Sequence, residues 1–582
     1  MAPNTTTSID KDNLELAQAL QVIEYTRRSL FLTGKAGTGK STFLRHIAAT
    51  TKKKHVILAP TGIAAINAGG ATLHSFFKIP FHPLVPTDTR FSPRNIRDTL
   101  KYNGEKCKLL RELELIIIDE ISMVRSDIID FIDKVLRVYC RNMRQPFGGK
   151  QLLLVGDIYQ LEPVVKEEDR QLLQPFYPSA FFFDARVFRE MPLVSIELHK
   201  VYRQCDATFI SILDHIRTSR TTAADLRLLN AQVGAELDNE GEKLAITLST
   251  RRDTVDYINE QHLRALPGEA LLFEGAIEGE FPASSLPSPI ELEVKPGAQV
   301  LFIRNDREKR WVNGTLGTIV AIDTEETQGT ICVRTEDGME YDVEREKWSN
   351  VRYSFDEQEQ KIVEEEIGTY TQFPLRLAWA ITVHKSQGLT FRHVNIDFTG
   401  GVFAGGQTYV ALSRCTSLEG ISLKHPIRKE DIFVRSEVHR FAQNYNNRTL
   451  INNALHESQA DKQYHDAAEA FAQRDMQAAL DNLFLAIHSR YDIEKPAAKR
   501  LLRRKLSTII VQQHTIERLQ DELAKQQKFL KELAVEYVSM GRDCEKEGFQ
   551  EAAIRNYEKA LRLCPDIPEA KRRIRKLQKH KN

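Results

Sequence analysis

The chain has 582 residues, 42% of them hydrophobic, 28% charged and 8% aromatic, with a formal net charge of +1. That length exceeds one ordinary domain, so three or four compact units are expected in a globular composition. The longest apolar runs, such as Leu115–Ile118 and Leu152–Val155, are strand-sized, far from the roughly 18 residues a membrane span needs, so no membrane partner is expected.

Residues 1–13 lack the basic start and apolar stretch of a secretory signal and read as a disordered tail. Seven scattered cysteines form no CxxC pair, which argues against zinc ligation or a disulfide framework and for a reducing compartment. Residues 14–186 alternate β-rich runs with helical stretches, the pattern of a parallel α/β sheet. The strands expected there are Leu30–Thr33, Val56–Ala59, Leu115–Asp119 and Leu152–Gly156, each running into a polar loop. A second α/β unit is expected over 187–264 and 371–440. Between its halves, residues 265–370 change to short alternating segments such as Ala298–Ile303, Thr315–Ile322 and Thr330–Arg334, which suggests an inserted β-domain.

Residues 441–582 read as entirely helical. From Lys495 to the end there are 22 Lys/Arg against 12 Asp/Glu, so the tail is basic. Lys495–Leu533 reads as a long charged helix. Tyr537, Gly541, Gly548, Ala553, Tyr557, Ala560 and Pro565 follow the spacing of a tetratricopeptide repeat, with a weaker echo at Ala467, Ala479, Leu483 and Ala486. A simple helical bundle is the alternative. Three roles suit the tail: docking a protein partner, extra DNA contact, or autoinhibition.

Three segments carry nucleotide chemistry. Gly34-Lys-Ala-Gly-Thr-Gly-Lys-Ser41 follows an apolar strand and precedes a helical run from Thr42. Its backbone N–H groups, from Gly34 through Ala36, Gly37, Thr38 and Gly39 to Thr42, suit a polyphosphate. Lys40 should reach the β- and γ-phosphates of ATP and Ser41 should ligate Mg²⁺. LIIIDEISMV (115–124) ends a buried strand in two carboxylates, which is costly unless a cation neutralises them. Asp119 is therefore the expected Mg²⁺ partner and Glu120 the group that activates water. LLLVGDIYQLEPV (152–164) delivers Gln160, an uncharged amide suited to sensing the γ-phosphate.

These segments alone specify a nucleoside triphosphatase. Four more point to nucleic acid: the loop Ala59-Pro60-Thr61-Gly62 with Ala71-Thr72-Leu73-His74-Ser75-Phe76-Phe77; Leu198–Gln204, containing Arg203; LAWAITVHKSQGLTF (377–391); and QTYVALSRCTSLEGI (407–421), containing Arg414. The first places polar and aromatic groups where phosphates and bases could be met, although Phe76 and Phe77 also suit a core. Arg203 and Arg414, carried by the second unit, suit arginine fingers.

In this order the motifs resemble a superfamily-one helicase of the RecD-like subclass B, and within it the Pif-type (petite integration frequency) DNA helicases. Gln145-Pro-Phe-Gly-Gly149, within the segment after the acidic pair, and RWVNGTLG (310–317) are similar to that family's sequences. The resemblance spans roughly residues 14–435. It implies two RecA-like domains clamping ATP, an SH3-like inserted domain, and 5′-to-3′ translocation on single-stranded DNA, with forked DNA as a substrate. It implies DNA contact by Pro60, Thr61, Gly62, Thr72, His74, Ser75, His384 and Lys385, and a nucleotide-side place for Gly388. An insertion near 78–100, with Phe81 and Pro83 in its Lys78–Arg94 portion, would act as the wedge. The family's adenine-reading glutamine is poorly matched; Gln18 is the nearest candidate and Gln21 its rival. A bacterial cytoplasm with its nucleoid is the expected setting. Two other readings stay open: an RNA-directed helicase, and a switch or scaffold ATPase whose helices bind partners.

Overall fold

The apolar runs that precede each phosphate-site loop become parallel strands buried on both faces. In the computed structural model these are β1 (Leu30–Gly34), β2 (His55–Ala59), β3 (Ala71–Thr72), β4 (Leu115–Ile118), β5 (Gln151–Val155) and β6 (Val194–Leu198). The structure describes residues 10, 12–202, 206–235, 244–306, 308–323, 329–356, 358, 361–473, 475–490 and 496–579. The six strands form one sheet in the order β3-β2-β4-β5-β1-β6, every neighbouring pair parallel. A parallel sheet with helices on both faces needs strands apolar throughout, which is why β1, β4 and β5 are fully buried. It also sends every strand's carboxyl end to one edge, where α/β sheets bind ligands.

The first α/β domain is larger than the sequence suggests. The boundary expected at 186/187 falls instead beyond Leu198, because β6 pairs with β1 along five residues. Nor does the helical region simply begin at 441. Phe183 stacks on Phe441 at 4.3 Å, and Ile451 and Ala454 share the core of Leu16, Leu30 and Val155. Asn446 donates from its backbone to Ser195 and accepts from the Glu197 N–H, covering the open side of β6.

The second α/β domain is built on β7 (Ile246–Ser249). The insert follows, and its strands are β8 (Leu271–Glu274), β9 (Ala276–Gly279), β10 (Glu291–Val294), β11 (Gln299–Phe302), β12 (Leu316–Asp323), β13 (Thr330–Thr335), β14 (Glu340–Val343), β15 (Glu346–Asp356), β16 (Lys361–Gln372) and β17 (Leu375–Leu377). The sheet of the second domain then resumes with β18 (Ala380–Thr382), β19 (Val394–Asp397) and β20 (Ile421–Leu423), ordered β18-β7-β19-β20 and parallel throughout. The expected pair of RecA-like domains is thus present. The insert runs past its expected end at 370, since β17 pairs with β11 and closes the antiparallel order β14-β13-β12-β11-β17. Phe302 stacks on Trp311 at 4.5 Å in its core. The long β15–β16 hairpin leaves that core and lies on the first domain, where Tyr353 is buried beside Phe76.

Residues 1–482 form one compact unit and 483–582 another. In the second, the helix Pro496–Lys546 turns at Gly548 and packs against Gln550–Leu563, with Pro568–Lys579 following. Gly541 lets the helices close, since a Cβ there would stand 2.5 Å from the Tyr557 ring. This helix pair does not by itself make a tetratricopeptide array. No helix among the described residues is long and apolar enough to cross a membrane.

Candidate active site and nucleic-acid interface

At the carboxyl edge of the first sheet lies a cleft of about 540 Å³. Its lining includes Ala36, Gly37, Thr38, Gly39, Lys40, Ser41 and Thr42 of the phosphate loop, Asp119, Glu120 and Gln160 of the first domain, and Gly388 and Arg414 of the second. Gly34 ends β1 at the start of the loop and tolerates no side chain, because a Cβ would stand 2.7 Å from Thr38 Oγ1 and 2.8 Å from the Leu198 carbonyl. Gly37 and Gly39 hold φ of 80° and 89°, a region other residues rarely adopt. Lys40 begins the following helix and donates to the carbonyls of Gly34 at 2.7 Å and Lys35 at 3.0 Å.

The acidic pair follows β4, with Glu120 itself at a φ of 49°. Burial raises the Glu120 carboxyl, and the adjacent Asp119 raises it further, to about 7, against the pull of Lys40 and Arg414. Burial also raises Asp119, opposed by the Glu120 N–H, Lys40 and Arg45. Each is thus held back from ionising by its surroundings, and cationic charge at this edge would favour the carboxylate forms. Ser41 and Asp119 line the same cleft and supply a hydroxyl and a carboxylate, the hard oxygen donors that suit Mg²⁺.

Two second-domain side chains reach this edge that sequence reasoning did not single out. Gln387 Nε2 donates to Glu120 Oε2 at 2.8 Å and to Gln160 Oε1 at 3.2 Å. The Ala36 N–H donates to the Tyr409 hydroxyl at 2.9 Å. Both lie inside segments already marked, one residue before Gly388 and five before Arg414; only the fold reveals where they point. A third, Arg217, is buried and bonds Asp157 at 3.1 Å and Glu197 at 2.8 Å, with its guanidinium over the Tyr159 ring at 4.5 Å. It ties the second domain to the turn that carries Gln160, since the Gln160 N–H donates to the Asp157 carbonyl.

Arg414 lines the cleft and donates to the carbonyls of Val410, Ser386 and Leu389 and to Ser413 Oγ. In this geometry it holds the 386–389 turn, and with it Gln387. Arg203 lies outside the described residues. Gln18, on the helix Leu14–Tyr25, is not among the residues that line the cleft. Its rival Gln21 bonds Ser458 at 2.7 Å. Leu16, Asp10 and Tyr202 occupy that end instead, with the Tyr202 hydroxyl donating to Asp10 at 2.7 Å.

The loops after β2 and β3 carry the residues expected at DNA. Thr61 and Thr72 each cap a short helix, accepting from the N–H of Ala64 and Ser75. Pro60 and Gly62 flank the first cap, and Gly62 lies against Ser285 of the insert. His74 stacks on Phe81 at 5.1 Å, with the rings within 7° of parallel. Burial first, then Arg125, pushes the His74 ring below its ordinary range and favours its neutral form. Phe81 is 89% exposed, and the insertion behind it is fastened by the Leu84 N–H donating to Asp127. Phe76 and Phe77 are core residues. His384 and Lys385 follow β18, and burial pushes both below their ordinary ranges.

A phosphate loop on one RecA-like domain, with the other domain's side chains on its acidic pair, defines the two-lobed P-loop class of nucleotide-binding protein. The PIF1-like helicase family model matches residues 10–225. The ATP-dependent DNA helicase PIF1 of Mus musculus is 37% identical over 408 residues, 68% of this chain and 57% of that protein. Pif1 of Bdellovibrio bacteriovorus is 31% identical over 423 residues, covering 70% of this chain and 87% of its own. The structure of Bacteroides sp Pif1 in complex with ADP-AlF4 matches at a TM-score of 0.67 and 41% identity, over 74% of this chain and 96% of that one. The Bacteroides Pif1 complex with ADP-AlF3 and ssDNA matches at 0.54 and 40%, over 74% and 96%. The chain belongs to the PIF1-like helicase family. It spans a little over half the length of its mammalian relatives.

Proposed function

We propose that this protein is an ATP-driven helicase that moves 5′ to 3′ along single-stranded DNA and unwinds forked or structured duplex ahead of it. The observation that carries this is the pair of contacts from Gln387 and Tyr409 across the cleft. Whatever binds the phosphate loop must negotiate with both domains. A triphosphate entering the cleft takes the amides of residues 36–41 and the Lys40 ammonium, which exchange their present acceptors for phosphate oxygens. Ser41 and Asp119 would hold Mg²⁺, which neutralises phosphate charge when bound. Glu120, once ionised, accepts the proton of the attacking water, while Gln160 orients that water and Gln387 reports its position to the second domain. Loss of the terminal phosphate lets the domains part. Melting a base-pair step costs about 1.4 kcal/mol on average, a modest demand on one cycle.

The family match supports this reading, as do the printed names of relatives that are ATP-dependent DNA helicases and of a neighbour solved with ssDNA. Pro60–Gly62, Thr72, His74, Ser75, His384 and Lys385 then form the path of the tracked strand, and Phe81 is the tip of the wedge. We place the protein at the nucleoid of a bacterial cytoplasm. Docking of a protein partner on the long C-terminal helix is supported by its exposed Ile510, Val511, Ile516, Leu519, Leu523 and Phe529. The test is strand separation with forks that carry only a 5′ or only a 3′ tail, with ATP and Mg²⁺. Unwinding of the 5′-tailed fork alone, lost in Lys40→Ala, is the expected result. RNA-stimulated ATPase that exceeds DNA-stimulated ATPase would favour an RNA-directed enzyme.

A further inference from the structure

β3 is the edge strand of the first sheet, whereas the second domain's Gln387 and Tyr409 reach groups beyond β4, β5 and β1 in its interior. Just past that edge the first domain and the β15–β16 hairpin enclose a second cleft, of about 630 Å³. Phe76 forms part of its floor, with Lys106 Nζ 3.1 Å from the ring centroid. Lys78 and Lys101, the two ends of the 78–100 insertion, stand on its rim, and Arg352 of β15 lies on the opposite wall. The one carboxylate in the lining, Glu280, is 74% exposed and faces Arg352 at 3.2 Å. Among the described residues no carboxylate pairs with Lys78, Lys101 or Lys106.

Burying an ammonium without a counter-charge is costly, and a ring face offsets the cost only in part. Burial, then Arg352 and Lys78, hold the Lys106 ammonium down to about 7. An anion is what this arrangement favours. Four cations spread over two walls suit a chain of phosphodiesters better than one small ion. The tracked strand is assigned to the loops after β2 and β3; this cleft adjoins that path at Ser75 and runs on from it to the root of the insertion whose tip meets the duplex. We propose that the cleft binds the phosphodiester backbone of the strand displaced at the wedge, an inference that rests on the helicase reading above.

The full-length protein is titrated, over a salt series, with three DNAs: a 5′-tailed fork, the same fork with a methylphosphonate displaced strand, and the tracked strand alone. Wild type should show a steeper salt dependence on the charged fork than on the neutral one, by about 0.7–0.9 in log–log slope per phosphate contact. Lys106→Met keeps the packing on Phe76 and should lower that difference by about one contact, about 0.7–0.9 in slope. It should leave single-strand affinity and single-strand-stimulated ATPase at wild-type values. Lys101→Gln, on the open rim, gives the same readout should Lys106→Met fail to fold. The proposal is overturned if the variant weakens single-strand binding equally, if it keeps the wild-type slope difference, or if it loses only affinity for inorganic tripolyphosphate. Wild-type ATPase indifferent to every strand overturns the helicase reading, and this proposal with it; the three results before it leave that reading standing.

Discussion

Replacing Gln387 by Ala removes a single amide that two first-domain acceptors share, Glu120 at 2.8 Å and Gln160 at 3.2 Å. A hydrogen bond to a charged acceptor contributes about 1.5–3 kcal/mol net and a neutral one about 1 kcal/mol. The second bond here is long, so the joint loss is about 2–3 kcal/mol. Expressed in the transition state, that is about a 30- to 150-fold fall in kcat. Gln387 does not line the nucleotide cleft, so KM for ATP should stay within about twofold of wild type. The assay is steady-state ATP hydrolysis at saturating single-stranded DNA, with and without the strand. A kcat within about twofold of wild type, or a loss confined to KM, would refute the idea that the second domain acts on the acidic pair through this amide.

Other consequences follow from the same geometry. Glu120 must be ionised to accept a proton, and its carboxyl is raised to about 7, so the active form is lost as pH falls through that value. A plot of kcat/KM for ATP against pH should show an acid limb centred near 7; a profile flat from pH 5 to 8 contradicts the assignment. Arg217→Met leaves Asp157 buried and Glu197 half-buried without their cation, which should cost about 3–5 kcal/mol and lower the urea midpoint; an unchanged midpoint would mean the pair adds nothing. Gly541→Val drives a Cβ into the Tyr557 ring and should destabilise the C-terminal helices by about 1–3 kcal/mol, read as a lower melting temperature of their helical signal.

The phosphate loop, the acidic pair and Gln160 were legible because each follows a continuous apolar strand, and a parallel sheet brings such strand ends to one edge. What was not legible depends on contacts distant in sequence. Val194–Leu198 reads equally well as the first strand of a second sheet, and only its pairing with β1 assigns it to the first. Gln387 and Tyr409 sit in recognised segments, but neighbouring side chains in a turn point in different directions, so their reach across the cleft needs the packed domains. Arg217 lies outside every motif, and its partners Asp157 and Glu197 are at least 20 residues away. Phe441, Tyr445 and Ile451 read as the start of a separate helical region, yet they complete the first core.

The central claim is that the nucleotide is clasped by both domains, so that loss of its terminal phosphate moves one against the other. Fluorophores at Lys52 and Glu419, exposed positions on the first and second domains, allow the separation to be followed by energy transfer. The account predicts a short separation with a non-hydrolysable ATP analogue and Mg²⁺, a longer one with ADP, and no such difference in Lys40→Ala. Equal separations in both nucleotide states of the wild-type protein would contradict it.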